Sequence, residues 1–126
     1  VTLQEEMEFV DAYLFLLKMR YEDNLSFDIR IEEGAMLCQL PPMSVQLLVE
    51  NAVKHNEISN RHPLTIRICS EGKHLTVGNP IQRKLTASSG MRIGLSNLAK
   101  RYRLLFKEEI EVREDNNTFT VTIPLI

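Results

Sequence analysis

Tryptophan is absent from this chain of 126 residues, and cysteine occurs only at Cys38 and Cys69. Thiols that far apart match no zinc, CxxC or disulfide-framework spacing. A metal ribbon, a dithiol redox site and a stapled scaffold are therefore excluded. Both thiols are expected to be buried and reduced. Glycine and proline contribute five residues each, far short of a fibrous or low-complexity composition. No apolar run approaches the roughly 20 residues of a membrane span. Glu5, Glu6 and Glu8 near the front are foreign to a signal peptide. Nor does one charge dominate, since 15 Lys and Arg against 17 Asp and Glu leave a net −2. That balance does not suit a domain that grips phosphate backbones, and no nucleic-acid partner is expected.

What remains is a globular composition, 44% hydrophobic and 25% charged, which excludes disorder. The length is that of one domain, sufficient to bury about two-thirds of the surface of the unfolded chain. Because the chain opens at Val1 in mid-pattern, it is expected to be a piece of something longer.

Leu3, Met7, Val10, Leu14, Leu17 and Tyr21 recur at alternating steps of four and three, which predicts an amphipathic helix at the front. Thr2 and Glu5 have the spacing of a capping box. After a break at Glu22-Asp23-Asn24, Phe27, Ile29 and Ile31 alternate with Asp28, Arg30 and Glu32, as in a half-buried strand. Pro41-Pro42 precedes a second helix over 43–55, whose apolar stripe is Val45, Leu48, Val49, Ala52 and Val53. Strands are predicted over 64–70 and 74–79 around a Glu71-Gly72 turn. A third helix is expected from near Gly94 to Phe106, then strands over 109–114 and 118–124 around Asp115-Asn116-Asn117. Residues 80–92, PIQRKLTASSGMR, show no period, and a long polar loop in a compact domain is often a lid or a binding loop. This order predicts a two-layer α/β sandwich with a mixed, mainly antiparallel sheet covered by helices on one face.

Helical geometry puts Glu50, Asn51, Lys54 and His55 on one arc of the second helix, opposite the apolar stripe. An amide oxygen beside a carboxylate suits Mg²⁺, which binds alongside substrate phosphates, and a lysine one turn on can neutralise them. A solvated face with a Glu50–Lys54 acid–base pair explains the same spacing. The third helix offers Ser88-Ser89-Gly90 and Ile93-Gly94-Leu95 at its start, where amides and dipole favour an anion. An ordinary flexible loop is the competing explanation.

The run LLVENAVKHN at 47–56 resembles the N box of the GHKL ATPase superfamily, in its sensor histidine kinase branch. SGMRIGLSNL at 89–98 resembles the G2 box and its helix. VTLQEE at 1–6 and the later Tyr13-Leu14 and Arg20-Tyr21 resemble the helix that leads into this domain in LytS-like kinases. The resemblance implies the Bergerat fold, with residues 1–22 as a linker helix and 23–126 as an ATP-binding catalytic domain. It implies Mg·ATP as cofactor and transfer of the γ-phosphoryl group to a histidine on a dimerisation segment upstream of this chain. A response regulator would receive the phosphoryl group. The full-length protein would be a homodimer, and this part a cytoplasmic domain whose only link to a membrane lies in other segments.

Position by position, the resemblance makes Asn51 the Mg²⁺ ligand and Lys54 a phosphate contact. His55 would flank the nucleotide, and Glu50 would assist catalysis. Gly90, Arg92, Gly94 and Leu95 fall on the phosphate-side turn and Asn79 on the adenine contact. Two departures stand out. In VGNPI at 77–81, Asn79 replaces the aspartate of the G1 box with no glycine after it, and Arg92 replaces a middle glycine of the G2 box. An asparagine can present either end of its amide, so weak ATP binding with reduced discrimination against GTP is expected. The alternatives are a degenerate domain that serves as an interaction module, and a serine kinase like the anti-sigma-factor kinases.

Overall fold

The computed structural model describes residues 1–82 and 90–126, and the side chains of all of these except 90–93. Helix α1, Leu3–Tyr21, begins on the expected capping box: Glu5 N donates to Thr2 Oγ1 at 3.2 Å and Thr2 N to Glu5 Oε1 at 3.0 Å. Leu3, Met7, Val10, Leu14 and Leu17 are buried along its inner face, while Phe9, Phe15, Leu16 and Met19 stay exposed outside. A 3-10 turn, Glu22–Asn24, leads to strand β1, Leu25–Arg30. Lys18 Nζ donates to the carbonyls of Glu22 and Leu25 at 2.9 and 2.7 Å, placing a cation at the helix C-terminus where the dipole favours it.

A second 3-10 turn, Glu33–Leu37, which periodicity does not reveal, joins β1 to helix α2, Ser44–His55. Then come β2, Leu64–Glu71, β3, His74–Pro80, helix α3, Gly90–Phe106, β4, Glu111–Asp115, and β5, Thr118–Pro124. The five strands form one sheet in the order β1-β2-β3-β5-β4. β1 runs parallel to β2, with Leu25 opposite Leu64, and the other pairs are antiparallel. The fold class is as expected from the sequence.

Several boundaries differ from expectation, the first at β1, which spans Leu25–Arg30 rather than 27–32 and leaves Ile29 exposed. Glu71 pairs with His74, so the β2–β3 turn is Gly72-Lys73, one residue later, with Gly72 at φ +58° where a side chain would be strained. The β4 strand starts at Glu111 rather than at 109. Helix α3 starts at Gly90 rather than near Gly94, because a single glycine costs a helix only about 1 kcal/mol and does not end it. In the β4–β5 turn, Asn116 and Asn117 take φ of 50° and 60°, the left-handed pair of a two-residue hairpin.

Along β3, Leu75, Val77 and Asn79 are buried together, and Ile66, Ile68, Val121 and Ile123 continue that face on β2 and β5. Val45, Leu48 and Val49 of α2 and Leu95, Leu98 and Tyr102 of α3 join them in one core. Fully burying a side chain of this size contributes about 1.5–3 kcal/mol. Both cysteines are free, but they are half-exposed rather than buried. Cys69 falls out of step with Leu64, Ile66 and Ile68 and so lies on the open face of the sheet. Among the described residues, no helix is long and apolar enough to cross a membrane.

Candidate functional site

Three of the sequence-selected residues meet at one pocket. Leu48, Asn51, Ala52 and His55 supply its α2 side, Val77 and Asn79 its β3 side, and Phe119 and Val121 close it from β5. The walls are apolar, and the polar groups converge from two elements, the usual make-up of a small-molecule site.

The expected polar arc of α2 is divided by the packing. Glu50 and Lys54 lie on the solvent side, Asn51 is half-buried and His55 is buried. Asn51 and His55, one turn apart, border Leu48 and Ala52, and the sheet and α3 cover that border. Glu50 Oε1 accepts from Gln46 Nε2 at 3.2 Å. The Glu50–Lys54 pair does not form, and among the described residues Lys54 has no ion-pair partner. Burial first, and then the nearby Glu50 carboxylate, push the Tyr13 phenol above its ordinary pKa.

Gly94 faces Asn51. A Cβ built on it would stand 3.3 Å from Asn51 Oδ1 and 3.4 Å from Nδ2. The glycine therefore permits close approach of α3 to the amide instead of opening the helix. Leu95 sends its side chain into the core. Gly90 is the first residue of α3. The Arg92 side chain and residues 83–89, most of the expected loop, lie outside the described residues.

Asn51 Nδ2 is buried with no hydrogen-bond partner among the described residues. Asn79, only 4% exposed, is held differently: its Nδ2 donates to the Pro80 carbonyl at 2.8 Å. That bond takes one of the two amide N–H groups and leaves the second N–H and the Oδ1 acceptor to the pocket.

Of the pocket residues not selected from sequence, Phe119 and Asn56 bear most on its shape. Phe119 has strand parity as its only signal. Asn56, directly after α2, gives Nδ2 to the Ala52 carbonyl and accepts from the Gln82 amide on Oδ1, both at 2.8 Å. Glu57 N donates back to Gln82 O at 2.6 Å, so the segment leaving β3 is stitched to the end of α2. Among the described residues, no group of three or more His, Cys, Asp or Glu could hold a metal. A lone amide oxygen such as that of Asn51 would suit Mg²⁺ only alongside phosphates and water.

No family model matches the chain. It is 29% identical over 137 residues to the sensor histidine kinase YesM of Bacillus subtilis, covering 98% of this chain and 24% of YesM. It is 34% identical over 124 residues to the sensor protein LytS of Streptococcus agalactiae, covering 84% of this chain and 21% of LytS. The chain thus spans a quarter or less of the length of these curated relatives. Among solved structures, the catalytic domain of the histidine kinase ThkA matches with a TM-score of 0.65 at 22% identity, covering 98% of this chain and 94% of that one. That likeness shows the fold. Relatives along the chain and a catalytic-domain fold agree: the chain belongs to the LytS-like sensor histidine kinases, of which it is the GHKL-type domain.

Proposed function

We propose that the pocket between α2 and the β3–β5 pair binds Mg·ATP and presents its γ-phosphoryl group to a histidine outside these 126 residues. The Asn51 amide carries this reading. A buried donor left without a partner costs about 1–3 kcal/mol, and Asn51 Nδ2 bears that cost at the point where α3 needs a glycine to pass. A ligand that supplies the missing bond explains why the arrangement is kept. The amide offers an oxygen to Mg²⁺ and N–H groups to a phosphate.

Lys54, exposed and without an ion pair among the described residues, would neutralise phosphate charge. Asn79 Oδ1 would accept from the adenine amino group. Its second N–H stays able to donate to a guanine carbonyl, so the reading is weak ATP binding with reduced discrimination against GTP. His55 and the apolar walls would flank the base. Glu50, on the solvent side, would face the incoming imidazole and steer it; a neutral imidazole attacks without prior deprotonation. When bound, Mg·ATP supplies the phosphoryl group and the metal's charge, and the residues of this chain contribute positioning and neutralisation. The whole protein would act as a homodimer, anchored to a membrane through other segments, and pass the phosphoryl group to a response regulator.

The test is labelling with γ-phosphate-labelled ATP. A longer polypeptide that includes the upstream segment should acquire acid-labile, base-stable phosphohistidine, and the present chain alone should not. Absence of label from both would favour the interaction-module reading, which the asparagine at position 79 supports.

A further inference from the structure

The Glu6 carboxylate is 3% exposed and is saturated by a helix other than its own. Oε1 accepts from the Met43 amide at 2.8 Å, and Oε2 from the amides of Val45 and Gln46 at 2.9 and 3.2 Å. The amides of Val45 and Gln46 are first-turn donors of α2, which a side chain at the helix's own N-cap normally satisfies. Met43 occupies that N-cap position but has no acceptor to offer. Its backbone is also held left-handed at φ 65°, a conformation methionine rarely keeps without support. Helix α3 grips the same corner, where Arg101 Nη1 donates to Pro42 O at 2.6 Å. Asn51, Lys54 and His55 follow about two to three turns further along α2.

We propose that Glu6 is a positioning residue that ties α1 to the first turn of α2, so that the seating of Asn51 against Gly94 follows the placement of α1. Sliding or rotating α1 against α2 would leave a buried anion short of donors, so the two helices move together or the tie breaks. Once it breaks, the strained turn at Met43 is free to relax and the start of α2 shifts. Control of nucleotide binding by this tie rests on the Mg·ATP reading above; the tie itself does not.

The experiment is residue-resolved amide hydrogen exchange on the intact chain, well below its melting transition, for the parent and Glu6→Gln. Gln keeps the shape and one acceptor but loses the charge. Amides along α2 as far as Asn51 and His55 should exchange about tenfold faster, while those of β2 and β3 stay within about twofold. Adding Met43→Gly, which takes φ 65° without strain, should restore most of the protection. Affinity for Mg·ATP should fall about fivefold in Glu6→Gln and recover in the double variant. Glu6→Asp, shorter but still charged, should give the same pattern more mildly and serves if Glu6→Gln does not fold. Acceleration confined to the amides of 43, 45 and 46 would reduce Glu6 to a local cap and overturn the proposal, as would uniform acceleration through helices and sheet. If the parent itself binds no Mg·ATP, the nucleotide reading falls while the exchange pattern still decides the tie.

Discussion

Gly94 of α3 lies so close to Asn51 of α2 that the Cβ it does without would stand 3.3 Å from the amide oxygen. Gly94→Ala separates stability from site geometry. Alanine gains about 1 kcal/mol of helix propensity, and the tight contact opposes that gain, so stability should stay within about 1 kcal/mol of the parent. The displaced Asn51 amide should weaken Mg·ATP binding about tenfold. Thermal melts paired with titration check both, and unchanged affinity would show that the seating of Asn51 does not matter.

Lys54→Ala should leave the fold intact, because the side chain is exposed and has no partner among the described residues. It should weaken ATP by about tenfold and adenosine hardly at all, with the difference shrinking as salt is raised. Calorimetry with both ligands at two ionic strengths reads this, and equal weakening of the two would remove Lys54 from the phosphates.

Asn79→Asp would place a carboxylate oxygen against the Pro80 carbonyl, where an amide N–H now donates at 2.8 Å. Although aspartate is the family's residue here, the substitution should destabilise this chain by about 1–3 kcal/mol at neutral pH. The deficit should shrink at acid pH, since a protonated carboxyl can again donate to Pro80 O. Denaturant melts at neutral and acid pH measure it. A neutral or stabilising effect at neutral pH would mean that the Asn79–Pro80 hydrogen bond contributes little.

Burial above all, with the charge of Glu6 adding to it, holds the Tyr102 phenol well above its ordinary pKa near 10. The folded chain thus keeps a proton that the unfolded chain releases. The associated stability is full below about pH 10 and is lost as pH rises towards the folded-state value. Tyr102 also donates to the Pro124 carbonyl at 2.8 Å in a buried setting. Tyr102→Phe should therefore cost about 1–3 kcal/mol at neutral pH and flatten the alkaline decline in melting temperature. An unchanged alkaline slope would assign that decline to other groups.

Features set by neighbours in the chain were legible in the sequence. The inner stripe of α1, its capping box and the Asn116-Asn117 turn each depend on residues a few positions apart, and the parity of Leu75 and Val77 turned Asn79 inward. Features set by packing were not. Glu6 looks like an ordinary first-turn acid, because nothing local shows that its oxygens meet the amides of α2. His55 sits at the edge of the polar arc, and only the covering sheet makes it buried. Gly94 reads as the start of a helix, while its use is to let α3 reach Asn51. The parallel pairing of β1 with β2 follows from a crossover through α2 that strand patterns alone do not specify.

The central claim is that the Asn51 amide is the part of this pocket that holds Mg·ATP. Its most direct test is calorimetric titration of Mg·ATP into the parent and into Asn51→Ala, repeated with the metal chelated. The parent should bind, and should lose most of its affinity without Mg²⁺. Asn51→Ala should behave alike with and without the metal, while its melting temperature stays equal or rises, because a buried donor with no partner among the described residues has been removed. Metal-dependent binding that survives Asn51→Ala, or a parent that binds no Mg·ATP, would contradict the account.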